Sequence, residues 1–258
     1  YEIAQCLVGS EMCIRDRLLY AFNRNKVKHI SVQPSLWDSR ISMPTSYPMV
    51  GKPLYGIYAY KWAGLNENGD PQVYDAENNV TSGPARDYHA LVYCGTTVPI
   101  HNASLTNVLR YKGFEFSAML ILDAGHKLRS SNIPSINMSN GRITSTAKGI
   151  VDRWTQPGDV TDVPRLLFSN DTENFNTHRT ELYRYSDLFV YDASNIRLSN
   201  ISLAYRVPAH WCKKISLSGA RLQFNVENVA TFAFDSKANY DLGGKVKPNY
   251  VWGLYLNF

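Results

Sequence analysis

Long apolar runs are missing from this 258-residue chain. Nowhere do about eighteen apolar residues follow one another, which excludes a membrane-spanning helix. A β-barrel is not excluded, because its alternating strands average to an ordinary mean hydropathy such as the −0.29 found here. Cysteine is scarce: Cys6, Cys13, Cys94 and Cys212 show no CxxC or other ligand spacing, so zinc and thiol-redox chemistry lack their usual signature. The net charge of +5 is spread along the chain without the basic block that tracks phosphates, and no nucleic-acid partner is expected. HExxH, GxSxG, the phosphate-loop pattern and GxGxxG between strand and helix are all absent. His29, His89, His101, His126, His178 and His210 are scattered. The expectation is therefore a non-enzyme with no catalytic, cofactor or metal site. A charged and apolar leader is absent too, so any export signal is expected to lie upstream.

What the chain does have is aromatic residues, 12% of the total with 17 tyrosines, which suits membrane interfaces and sugar-facing surfaces. The last stretch, YVWGLYLNF, alternates: Tyr250, Trp252, Leu254, Leu256 and Phe258 share one phase, Val251, Gly253, Tyr255 and Asn257 the other. An unbroken bulky face ending on an aromatic is how closing strands of outer-membrane barrels read. Gly253, Leu256 and Phe258 fit the spacing of a terminal assembly signal and resemble the one read by the outer-membrane insertion machinery.

Residues 1–17, YEIAQCLVGSEMCIRDR, fit nothing downstream and look like translated adapter read-through; a short native helix is the alternative. From Leu18 the text becomes β-like, and residues 31–53, rich in Ser, Pro and Met, read as irregular connection. LYGIYAYKWAG at 54–64 reads as an aromatic strand leading into a turn-rich stretch. There Asn66, Asn68, Asp70 and Glu77 fall at positions of a calcium loop, but Pro71 stands where that loop needs glycine, so a plain acidic turn is favoured. LVYCGTTVPI follows, and then a hairpin: residues 103–111 turn through Lys112 and Gly113 into FEFSAMLILDAG. Residues 126–194 read as one very long non-strand section, of a length that usually carries function. In ASNIRLSNISLAYRVP, Ile196 and Leu198 share one phase while Ile201, Leu203, Tyr205 and Val207 share the other. One extra residue near Ser199 and Asn200 would put all of them on one face, so a β-bulge is expected there. ARLQFNVEN then sets Leu222, Phe224 and Val226 against Arg221, Gln223, Asn225 and Glu227.

Counted back from the end, the connections alternate long and short, as in a barrel with one short-turn rim and one long-loop rim. The pattern breaks before Leu54. Alternation alone also fits a soluble or surface β-sandwich that binds glycans through its tyrosines, since both architectures have one apolar face.

GKPLYGIYAYKWAGLNENGDPQVYD, VLRYKGFEFS, DRWTQPGDVTDVPRL, ASNIRLSNISLAYRVP, ARLQFNVENVATF and YVWGLYLNF together, in this order, resemble the C-terminal barrel portion of the SusC/RagA family of TonB-linked outer-membrane transporters. The most specific positions are Trp154, Pro157, Gly158, Asp159, Thr161 and Pro164, with Arg197, Leu198, Asn200, Leu203, Tyr205 and Pro208. Departures are Asn195 in place of the family's usual aromatic, HNAS at 101–104 in place of a glycine pair, and FDSKANYDLGG without a DPE-like loop motif.

The resemblance implies an all-β fold for residues 18–258: antiparallel strands of the C-terminal part of a large transmembrane β-barrel, partial and open here, with long extracellular loops. It implies TonB-dependent import of a glycan or peptide across the outer membrane, with a SusD-like surface lipoprotein, the TonB complex and outer-membrane lipid as partners. The plug and the TonB-contacting segment are expected upstream. Arg197, Arg221, Gln223, Asn225 and Glu227 are the candidates for facing a polar lumen. Trp154 and Asp159 are the candidate loop contacts to ligand, against simpler roles as loop anchor and turn cap.

Overall fold

The computed structural model describes residues 2–6, 12–31, 39–83, 88–139, 142–143, 148–168, 177–243 and 247–258. In chain order the described residues form β1 (Glu2–Cys6), β2 (Met12–Phe22), α1 (Ser39–Ser42), β3 (Gly56–Tyr60), β4 (Trp62–Leu65), β5 (Pro71–Tyr74), β6 (Val80–Thr81) and β7 (Leu91–Thr96). β8 (His101–Tyr111) and β9 (Phe114–Ala124) follow, then β10 (Lys127–Arg129), β11 (Asn137–Ser139), β12 (Arg142–Ile143), β13 (Leu167–Phe168), α2 (Thr177–Arg184) and β14 (Val190–Asp192). The chain closes with β15 (Asn195–Arg206), α3 (Ala209–Lys213), β16 (Gly219–Ala233), α4 (Asn239–Leu242) and β17 (Asn249–Asn257). No helix among the described residues is long and apolar enough to cross a membrane.

These elements fall into two compact units. The first, Tyr1–Asn23, Pro99–Gly125 and Ala193–Phe258, is a seven-stranded antiparallel sheet in the order β1-β2-β8-β9-β15-β16-β17. The expected hairpin is there: Lys112 (φ 46) and Gly113 (φ 86) make the two-residue turn with positive φ that matches strand twist. The expected bulge is there as well, with the register of β15 shifting between Leu198 and Asn200 against both neighbours. On β16 it is met by Asn228, whose φ is 54. The shift brings Ile196 and Leu198 into phase with Ile201, Leu203 and Tyr205, because their partners Leu122, Leu120, Ala118, Phe116 and Phe114 all lie on one face of unbroken β9.

From β8 to β17 that face is largely apolar, and many of its large side chains lie exposed among the described residues. Phe224 pairs with Trp252 and Leu203, Leu222 with Leu254 and Tyr205, and Val226 with Tyr250 and Ile201. Trp252 is 78% exposed and Leu254 61%. Cross-strand aromatic contacts tie the face together, Phe224 to Trp252 at 4.2 Å and Phe114 to Tyr205 at 4.5 Å between ring centroids. β2 runs across residue 17 without interruption, and its Asp16 lies in phase with Ile14, Leu18 and Tyr20, paired with Asn107.

The second unit, Arg24–Val98 and His126–Asp192, has a core of its own. Residues 54–64, expected as one strand, are two: β3 pairs with β7, and β4 with β5, neither in the large sheet. Every residue of β3 is buried, so its composition shows no alternation. Tyr58, Tyr60, Val73, Leu91 and Leu182 form one cluster; Ile136, Tyr183 and Phe189 form another. The long section from residue 126, expected to lack regular structure, holds β10 to β14 and α2. The helix puts Arg179, Leu182 and Tyr183, spaced three and four apart, on its buried side.

Moving β3 to β7 out of the sheet removes the break in connection lengths. From β2 to β17 the sheet's strands are joined through residues 23–100, 112–113, 125–194, 207–218 and 234–248, so that each of the two very long connections is followed by a shorter one.

Candidate functional site

The face of the sheet opposite the apolar one carries every residue expected to look inward. Arg221, Gln223, Asn225 and Glu227 stand in one phase of β16, and Gln223 pairs with Ala204, which pairs with Glu115 of β9. Two-residue steps along β9 from Glu115 reach Ile121, the partner of Arg197, so all these residues share one face. Their side chains are linked. Glu115 accepts from Arg110 Nε at 2.7 Å and from Arg221 Nη2 at 3.3 Å. Asp123 accepts from Asn102 Nδ2 at 2.7 Å and lies 3.6 Å from Arg197 Nη2. Gln223 Nε2 donates to Asn225 Oδ1 at 3.0 Å, and Asn249 Nδ2 to Glu227 Oε2 at 3.4 Å. Pairs spread over a half-exposed face contribute little to stability singly, but they hold a wet, mixed-charge surface in register.

Of the assembly-signal residues, Gly253 pairs with Gln223 on the polar side and Leu256 with Ala220 on the apolar side. Phe258 is 92% exposed, and Ser218 Oγ donates to its carbonyl at 3.3 Å, beside the short 207–218 connection.

Trp154 and Asp159 share a loop in the second unit. Asp159 Oδ2 accepts from the Thr155 amide and hydroxyl, both at 2.8 Å, and from the Gln156 amide at 3.1 Å. These bonds, the Thr155 amide foremost, hold its carboxyl below the usual carboxylate range. Trp154 packs on the turn at Gly69 (φ 73), where a Cβ would come within 2.4 Å of the indole. Its amide donates to Val163 O at 2.8 Å. Both side chains therefore have the simpler roles, anchor and cap, built into the local geometry.

Asp70 is not laid out as a calcium ligand. Its carboxylate takes Arg179 Nε at 2.6 Å and Arg165 Nη2 at 2.9 Å, while Asn66 Oδ1 closes the turn by accepting from the amides of Asn68 and Asp70. Arg179 is 3% exposed; burial lowers its pKa and Asp70 opposes that. This latch was missed in the sequence because its members lie about a hundred residues apart, with no local signal. Asp162, adjacent in the acidic loop, accepts from Trp62 Nε1 at 2.9 Å. The Cys94 thiol is pushed up to about 11, chiefly by burial, which removes its nucleophilic form at neutral pH. Arg129 fastens β10 to its neighbours, donating to Tyr58 O at 2.6 Å, Ser186 O at 3.3 Å and Arg184 O at 3.4 Å.

No family model matches the chain. Among curated proteins it is 24% identical over 258 residues to TonB-dependent receptor P3 of Formosa agariphila, covering 91% of this chain and 24% of that one. TonB-dependent receptor P26 of the same organism is 27% identical over 130 residues, covering 50% and 12%. In fold it is similar to the RagAB peptide transporter, with a TM-score of 0.71 at 17% identity over 100% of this chain and 28% of the other. The RagAB peptide importer in its open-open state gives 0.65 at 19% identity, over 100% and 27%. The chain thus spans about a quarter of the length of TonB-dependent receptor P3 and of the RagAB chains, which are named as receptor and transporter. Ordered motifs, sequence likeness and the fold of the sheet agree in what the chain is similar to: the barrel portion of SusC/RagA-type TonB-dependent receptors.

Proposed function

We propose that the chain supplies wall strands and outer loops to an outer-membrane importer driven through the TonB complex, with a SusD-like lipoprotein as outer partner and a glycan or peptide as solute. The observation that carries this reading is the sheet's two-sidedness. Its apolar face, from Leu18 to Trp252, has no second layer among the described residues, while its other face is a linked polar surface. A soluble sandwich would bury the first face in a dry interior; hydrocarbon accepts it as it stands. Arg197, Arg221, Gln223, Asn225 and Glu227 then line the lumen, where they meet solute or plug through water. The backbone rim at Gly253, Leu256 and Phe258 serves assembly. Energy comes from the partner acting on the plug, and the mechanism is gated passage rather than bond making.

The same reading treats residues 1–17 as foreign to the wall, supported by the Asp16 carboxylate on the apolar face. The test uses the full-length receptor in its outer membrane. Extraction only by detergent and heat-dependent gel mobility are expected, and a water-soluble monomer overturns the proposal. Loss of uptake of a peptide or glycan on deleting the neighbouring lipoprotein tests the partner.

A further inference from the structure

The second unit contains a cavity of about 430 Å³ whose chemistry differs from that of the linked polar sheet face. Arg129 and Arg184 stand at its edge on the ring of Tyr185, with guanidinium carbons 5.4 and 5.7 Å from the centroid. Neither has a carboxylate in ion-pair range among the described residues. Elsewhere in the same unit the partners are in place: Arg165 and Arg179 share Asp70, and Lys127 Nζ meets Asp192 at 3.0 Å. Arg129 is desolvated, which lowers its pKa, and its bonds to three backbone carbonyls fix it without neutralising it. Arg184, at the end of α2, is exposed. Ile133 and Pro134 give the cavity apolar wall, and Ser131, Ser135 and Thr180 give it hydroxyls.

Two cations held on one aromatic ring, beside a cavity with apolar wall and hydroxyl groups, call for an anionic group on a small organic body. A carboxylate fits the guanidinium fork in a way that a neutral amide does not. We propose that this cavity is a binding subsite for a carboxylate-bearing solute. The carboxylate would reach Arg184 and the remaining donors of Arg129, with the rest of the molecule against Ile133, Pro134 and the Tyr185 ring. As a statement about cargo it rests on the importer reading above. As a statement about the cavity it does not.

The experiment uses the purified full-length receptor in detergent, with calorimetric titration of two probe pairs: a tri-glutamate peptide against tri-glutamine, and a trigalacturonate against its neutral galactose counterpart. Tighter binding of one acidic probe than of its neutral twin is expected, and the pair that responds identifies the source of the carboxylate. Arg184→Gln, at an exposed position, is expected to weaken the acidic probe about tenfold, the cost of one charge-assisted contact, and to leave the neutral one unchanged. Arg184→Lys is expected to recover part of that loss, because the charge returns without the fork. Equal binding of both members of each pair, no binding of either acid, or an unchanged acidic affinity in Arg184→Gln overturns the proposal. Failure of the receptor to reside in the outer membrane would remove the importer reading and leave these binding results standing.

Discussion

The two units draw on similar side chains and place them oppositely. In the unit built on the sheet, the buried apolar residues include the small Ala193, Ala204 and Ala238, while Leu222, Trp252, Leu254 and Phe232 lie open. In the second unit, Tyr58, Tyr60, Val73, Leu182 and Tyr183 are nearly inaccessible. The sheet is held by its backbone ladder and, on the proposed barrel-wall reading, needs an apolar medium on one side; the second, loop unit carries its own core. Aromatic richness by itself therefore says nothing about where the aromatics go. On an alternating strand they mark a face, and on an all-buried strand such as β3 they mark an interior.

Substitutions can break this contrast from either side. The largest effect is expected in the loop unit. Asp70→Ala leaves Arg179 buried and Arg165 beside it without their shared carboxylate, and should cost about 3 to 5 kcal/mol there. Limited proteolysis of the full-length receptor should then cut within residues 24–98 or 126–192 while the detergent-resistant, heat-modifiable barrel persists. Loss of the barrel as well would mean that the sheet depends on the loop unit's core.

Next comes the sheet. Phe224→Arg should cost about 2 to 4 kcal/mol at the bilayer midplane, while Gln223→Arg on the adjacent residue should be tolerated. Urea unfolding of the receptor in lipid vesicles measures both, and equal costs would erase the distinction between the faces. Gly69→Ala is smaller. It meets the Trp154 indole and a positive φ at once, for a cost of about 1 to 3 kcal/mol, visible as a change in Trp154 fluorescence.

The smallest effect is a local pH response. The Asp159 carboxyl is held below its usual value by bonds to Thr155 and Gln156, so its contribution is present at neutral pH and is lost as pH falls through that depressed value. Correcting for intrinsic chemistry, hydrogen exchange at Thr155 and Gln156 should lose protection only in acid. Protection independent of pH would show that Asp159 does not hold the turn.

How much of this was legible in the sequence depended on range. The 112–113 turn, the bulge at 199–200 and the β17 alternation are local, set by φ preferences and a period of two, and each could be read directly. That Arg197 shares a face with Arg221 could be read too, once the bulge was granted. The layer to which a strand belongs could not. β3 and β7 look as strand-like as β8, and only their pairing assigns them to the loop unit. The helix α2 escaped because its buried face includes Arg179, a residue type that patterning counts as solvent-facing. The cavity beside Tyr185 joins residues 129–135 to 180–185 and had no sequence signal at all.

The most direct test of the central claim is a spin-label scan along β16, residues 221–227, in the full-length receptor reconstituted in lipid. Accessibility to oxygen should peak at Leu222, Phe224 and Val226, and accessibility to a water-soluble nickel chelate at Arg221, Gln223, Asn225 and Glu227, the two profiles being out of phase. If the apolar positions are shielded from both reagents, as in a dry two-layered interior, or if both sets respond to the nickel reagent alike, the face does not meet lipid and the barrel-wall account fails.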